Sequence, residues 1–134
     1  MRRLPPFVVV SLLALAGAAE AGMTRMVVSD LPYAPVWHAA VRAVCDYPVE
    51  RAADGLIQTD WLERAPRDGE TGVARVRERA TVRVESSGRL TTRVTVEVEA
   101  AGWRDGQWVP IAMTRPSETA ILDRLRDALA SRRS

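Results

Sequence analysis

Two consecutive runs of alternation, from Val73 to Glu85 and from Arg89 to Ala100, constrain this chain more than any other feature. In the first, Ala74, Val76, Ala80, Val82 and Val84 hold the even positions, and Arg75, Arg77, Arg79, Thr81, Arg83 and Glu85 hold odd ones. In the second, Leu90, Val94, Val96 and Val98 alternate with Thr91, Arg93, Thr95, Glu97 and Glu99. Successive side chains of a strand point to opposite faces, so each run predicts a half-buried strand with a valine face and a charged face. Between them Ser86-Ser87-Gly88 fits a three-residue hairpin loop with glycine in the left-handed position. Closing Glu85 on Arg89 sets Arg77 opposite Glu97 and Arg75 opposite Glu99 on the wet face, with Val84 against Leu90 and Val76 against Val98 inside. A one-residue slip turns every valine outward. Exposed charge pairs contribute at most about 1 kcal/mol each, so the valines dominate the energy and the charges select register.

A valine face needs cover, and the flanking sequence supplies it. Pro35 is a rigid first-turn residue, after which Val36, Trp37, Ala40, Val41 and Val44 share one helical face. The spacing predicts a helix from about Pro35 to Asp46, stopped by Pro48, with His38 and Arg42 on its wet side. A second helix opens at Pro116-Ser117-Glu118 with Ser117 as N-cap, and buries Ile121, Leu122, Leu125, Ala128 and Leu129. Between the first helix and the hairpin, Val49–Ala53 reads as a brief strand ending at the Asp54-Gly55 turn, followed by a strand over Leu56–Leu62 and a mobile loop over Glu63–Gly72. Asp105-Gly106 marks a further turn that sets Trp103 beside Trp108, and Pro110, lacking an amide donor, belongs on the sheet's outer edge. The expected fold is therefore α+β in two layers: an antiparallel sheet of four to five strands with an N-terminal and a C-terminal helix on one face.

The N-terminal segment carries an address. Met1-Arg2-Arg3, an apolar run from Phe7 to Ala19, and Ala19-Glu20-Ala21 follow the order of a secretory signal, with cleavage after Ala21. The run is shorter than the roughly 20 apolar residues a membrane-spanning helix needs, so no stable anchor is expected after cleavage. The predicted organisation is a signal peptide over 1–21, a linker over 22–32, and a single domain over 33–134, in a periplasmic or secreted protein. Within that linker, Met26–Ser29 also reads as a short strand. Cys45 is the one cysteine, so stability has to come from the core rather than from an internal disulfide. Without Arg2, Arg3 and Glu20 the chain keeps 17 basic and 16 acidic residues, a balance that argues against nucleic acid as partner.

Chemistry-bearing residues are few. His38 and Cys45 lie seven apart on one helix, about 10 Å along its axis and too far for a nucleophile pair. A surface histidine and a small buried thiol are the expected roles. No zinc set and no cofactor motif is evident. Asp54, Asp60 and Glu63 flank one strand and read as turn and solvated residues ahead of an acid/base pair. Glu78 breaks its strand's alternation in an inward slot opposite Val96. A bulge or strand end explains it first, ahead of a bonded partner or a binding role. The arginine row Arg75, Arg77, Arg79 and Arg83 suits an anionic headgroup or polysaccharide, or a self-neutralised face with Glu97 and Glu99. Trp37 and Trp61 are expected in the core, while Trp103 and Trp108 near a hairpin tip suit an exposed contact. The candidate partner-binding residues are thus Trp103, Trp108, Arg75, Arg79 and Arg83.

The succession Pro35-Val36-Trp37, then Asp54-Gly55-Leu56-Ile57-Gln58-Thr59-Asp60-Trp61-Leu62, then an Arg/Val hairpin and a closing helix resembles the repeated domain of BamC-like outer-membrane lipoproteins over most of residues 33 to 131. The resemblance implies a helix-grip domain and an accessory role in β-barrel assembly. The chain lacks that family's lipobox cysteine and its second domain copy. The expected function is a non-enzymatic exported binding or scaffold module that holds a protein partner in the cell envelope. The alternative is a small-ligand carrier or small hydrolase with a pocket between helices and sheet and Glu78 or Asp60 as its polar group.

Overall fold

Both alternating runs are strands, and their valines form the floor of the core. The computed structural model describes residues 24–112 and 114–133; the signal-type segment 1–21 lies outside them. In chain order the elements are β1 (Thr24–Ser29), α1 (Tyr33–Ala43), β2 (Val49–Ala53), β3 (Leu56–Thr59), β4 (Leu62–Arg64), β5 (Val76–Ser86), β6 (Thr92–Arg104), β7 (Gln107–Ile111) and α2 (Arg115–Arg133). All pairings are antiparallel, in the order β1-β6-β5-β3-β2, with β4 also on β5 and β7 also on β6. The seven strands therefore fill five positions across the sheet.

Two local causes raise the strand count above the four to five expected. The stretch 22–32, expected as a linker, contains β1, which pairs with β6 from Thr24 opposite Glu97 to Ser29 opposite Thr92. The single strand expected over Leu56–Leu62 breaks into β3 and β4. At the break the Asp60 carboxylate accepts the Trp61 amide at 2.7 Å, while the Asp60 amide still donates to Pro48 O at 2.8 Å on the β2 side.

Both helices cover one face. Val36, Ala39, Ala40, Ala43 and Val44 of α1 and its following turn, together with Ile121, Leu122, Leu125 and Leu129 of α2, pack on Ile57, Ala80, Val82, Val84, Val94, Val96 and Val98. Burying each valine completely is worth about 1.5–3 kcal/mol, which makes this face the main source of stability. The helix α1 runs from Tyr33 to Ala43, shifted about two residues from the expected span. Its C-terminal end is held by α2: Arg124 donates to Ala43 O at 3.1 Å and to Asp46 at 2.6 Å, supplying a carbonyl partner that the helix itself lacks. Cys45, expected to be buried, is exposed in the turn that follows.

The hairpin register differs from the expected one by four residues. Val84 faces Val94 rather than Leu90, Val82 faces Val96, and Ala80 faces Val98. The connection spans residues 87–91, closed by Ser87 N–H to Thr91 O at 2.9 Å, and Leu90 is 66% exposed. An even shift keeps every valine on its face, so alternation alone admits both registers. The core chooses between them, because only the observed one sets small Ala100 opposite Glu78 and leaves room for what surrounds that carboxylate. The turns at Asp54-Gly55 and Asp105-Gly106 form as expected, each with two left-handed residues (φ 56° and 76°, 51° and 79°), the geometry of a two-residue hairpin loop.

Candidate binding face of the sheet

Glu78 is the outstanding polar group of the helix-covered face. It is 4% exposed in mid-strand, so neither the bulge nor the strand end expected for it is present. Instead it is satisfied by neighbours. Ser117 Oγ lies 2.7 Å from both carboxylate oxygens, Tyr47 Oη donates at 3.2 Å and Arg64 Nε at 2.8 Å, and an Arg67 guanidinium nitrogen lies at 3.6 Å. Ser117, expected as the N-cap of α2, sits in the first turn and points its hydroxyl inward, while Thr114 takes the backbone N–H groups of Ser117 and Glu118. The loop expected to be mobile is tied to the same cluster. Buried Glu70 accepts two hydrogen bonds from Arg64, at 2.7 and 2.8 Å, and one from the Arg67 amide at 2.6 Å. Those bonds from Arg64 hold the Glu70 carboxyl below the usual carboxylate range. Burial, reinforced by the charge of Glu78, pushes the Tyr47 phenol well above its ordinary value. A cavity of about 160 Å³ adjoins the cluster, lined by Tyr47, Arg64, Glu78, Ser117 and Arg124 among others. Its carboxylates already face cations and hydroxyls of the same chain, which is the arrangement of a structural network.

The other face carries a different constellation. Odd residues of β5 and β6 point away from the helices, and there guanidinium groups and indoles alternate. Arg79 lies 4.4 Å from the Trp61 ring centroid, and Arg77 lies 4.2 Å from Trp61 and 4.3 Å from Trp108. Arg75 lies 5.2 Å from Trp108 and 5.6 Å from Trp103. The two indoles of the β6–β7 hairpin meet edge to face at 5.2 Å, directly opposite in register. A guanidinium over an indole face is attracted by about 0.5–2 kcal/mol, so the strip is a built surface and not a scatter of solvated charges. Beside it lies a depression of about 400 Å³, walled by Trp61, Trp108 and Pro110 and floored by Ala100 and Ala101.

Carboxylates flank the strip unevenly. Glu63 takes Arg75 through two bonds at 2.8 and 2.6 Å, and these keep its carboxyl below the usual range. Glu99 takes Arg79. The pairs expected in the other register, Arg77 with Glu97 and Arg75 with Glu99, are replaced by these. Arg77, the middle cation, faces Ala101 on one neighbouring strand and Glu63 on the other, and its Nε is buried without a hydrogen-bond partner.

Of the five residues singled out from sequence, Arg75, Trp103 and Trp108 come together and Arg79 joins them through Trp61. Arg83 lies further along β5, exposed, between Leu56 and Thr95. Trp61, expected in the core, is instead half-buried on this open face, because the break at Asp60 takes it out of the strand's alternation. The signal was Asp60 itself, a residue whose side chain competes for local backbone donors. Trp37 is also only half-buried, stacked on Tyr33 with centroids 6.2 Å apart. Asp54, Asp60 and Glu63 are all exposed and occupied with the local bonds described or, for Asp54, with Arg51 at 3.7 Å.

No described helix is long and apolar enough to cross a membrane. No protein-family model matches the sequence, and no curated protein matches it either.

Proposed function

We propose that the chain is a non-enzymatic exported binding module that holds a protein partner on the open face of its sheet. The observation that carries this reading is the strip Arg79, Trp61, Arg77, Trp108, Arg75, Trp103. Three tryptophans and three arginines, the residue types that dominate the energetics of protein interfaces, lie together on the face the helices leave uncovered. Their planes are held before any partner arrives, which lowers the entropy lost on binding. The signal-like N-terminal segment supports an exported protein. The resemblance to BamC-like domains extends the reading to a role as an accessory of envelope assembly.

The carrier or hydrolase reading draws on the buried Glu78 beside a cavity. It is the weaker one, since the cavity is small and the carboxylate is saturated by its own chain.

The test is capture from an envelope fraction with the wild-type domain and with a W61A/W108A variant as baits, followed by titration of the purified partner against both. The expected result is saturable binding to the wild type that weakens at least tenfold in the variant. Equal binding to both, with the variant folded by circular dichroism, overturns the reading.

A further inference from the structure

Arg77 is the one guanidinium of the strip with no carboxylate in ion-pair contact, though its charge helps to lower the Glu63 carboxyl. Its two nearest acids are committed elsewhere: Glu63, across the β4 pairing, is clamped on Arg75, and Glu99, one of the residues lining the depression, is clamped on Arg79. Pairing them away leaves one net positive charge in a half-buried, indole-walled depression, and one buried donor, Arg77 Nε, unanswered. Buried donors in folded proteins are almost always answered, so the unanswered Nε shows that the strip leaves this guanidinium without a hydrogen-bonded acid of its own. A guanidinium held between two indoles is also planar, fixed and weakly hydrated, which suits recognition of a carboxylate by its fork.

We infer that the depression between Trp61 and Trp108 is a carboxylate pocket, and that the partner enters it with a single Asp or Glu side chain flanked by apolar residues. This rests on the open face being the binding face. The indole walls, Pro110 and the Ala100–Ala101 floor offer apolar contact around Arg77 and the Arg79-bound Glu99, so the matching segment is amphipathic and singly acidic, not a polyanion. The strip continues past the depression along the strands, with Trp103 and Arg75 on one side and Arg79 on the other. An extended segment therefore lies across it and lowers a side chain in, and no wall is shaped to stop a chain end.

Three N-acetylated probes separate the possibilities in a calorimetric titration of the domain: acetyl-Leu-Glu-Leu-amide, its Gln counterpart, and acetyl-Leu-Gln-Leu with a free C-terminal carboxylate. The Glu peptide is expected to bind at least tenfold more tightly than the Gln peptide, and the preference to disappear in R77Q. Equal affinity of the Glu and Gln peptides overturns the inference, as does no binding of the Glu peptide up to about 10 mM, a concentration that registers even millimolar affinity. Tighter binding of the free C-terminal probe, or of a uronate oligosaccharide, overturns the assignment to an acidic side chain. If R77Q fails to fold, the wild-type comparison of Glu with Gln decides alone. Failure here with partner binding still lost in W61A/W108A removes the carboxylate pocket and leaves the binding face standing.

Discussion

Replacing Glu78 by Gln tests whether the buried cluster is as desolvated as the structure describes. Three donors converge on the carboxylate: the Ser117 and Tyr47 hydroxyls and Arg64 Nε. The amide oxygen of Gln accepts two of them, and its NH2 group donates to the remaining hydroxyl oxygen, which leaves that hydroxyl's own O–H without an acceptor. One orphaned buried donor costs about 1–3 kcal/mol. The substitution also leaves Arg64 and Arg67 balanced by Glu70 alone, where Glu70 and Glu78 share them now. Removing one partner of a buried pair costs about 3–5 kcal/mol, and the surviving bidentate bond from Arg64 to Glu70 places this case at the lower end. The expected loss is about 3 kcal/mol, a large share of the 5–15 kcal/mol of a typical domain, and a fall in Tm of about 10–20 °C. Urea unfolding followed by tryptophan fluorescence measures it, with E97Q, on the exposed side of the sheet, as a control expected to change stability by less than about 0.5 kcal/mol. A loss below about 1 kcal/mol for E78Q would refute the network, because a carboxylate reached by water would tolerate the change.

Three further outcomes follow from the same geometry. A Cβ on Gly102 would lie 2.5 Å from Val73 Cγ1, so G102A is expected to destabilise by about 1–3 kcal/mol in the same urea assay through overpacking. Glu70 has a depressed folded-state pKa, so its contribution is complete above the unfolded value near 4.3 and is lost as pH falls through the folded value. E70Q is therefore expected to be less stable than wild type at pH 7, with the two curves converging toward pH 2. Tyr47 behaves oppositely: its folded pKa is raised, so its contribution is present below about pH 10 and lost above it. Wild type is expected to lose stability above about pH 10 more steeply than Y47F, which itself costs about 1 kcal/mol at neutral pH.

The architecture was legible in the sequence because valine alternation leaves one face of the hairpin that only the two amphipathic stripes can cover. Register was not, and the reason is specific. Period-two patterns are unchanged by even shifts, and the charges offered three complementary pairs in the expected register (Arg77 with Glu97, Arg75 with Glu99, Glu85 with Arg89) against two in the observed one (Arg79 opposite Glu99, Glu85 opposite Arg93), so charge pairing favoured the wrong one. What separates them is the room Glu78 needs for Tyr47 and Ser117, two residues far away in the chain. The candidate site was half legible. Trp103 and Trp108 followed from the Asp105-Gly106 turn, whereas Trp61 was hidden by an alternation that continued on paper through Asp60 and stopped in space. The unpaired state of Arg77 was invisible, since it depends on where Glu63 and Glu99 point.

The four indole N–H resonances of the folded domain give the most direct view of the binding face. In a titration with the purified partner, Trp61 and Trp108 are expected to shift together and most, Trp103 less, and Trp37, stacked on Tyr33 at the helix α1, not at all. A shift confined to Trp37, or bound partner with Trp61 and Trp108 unmoved, would place recognition on the helices and contradict the role given to the open sheet.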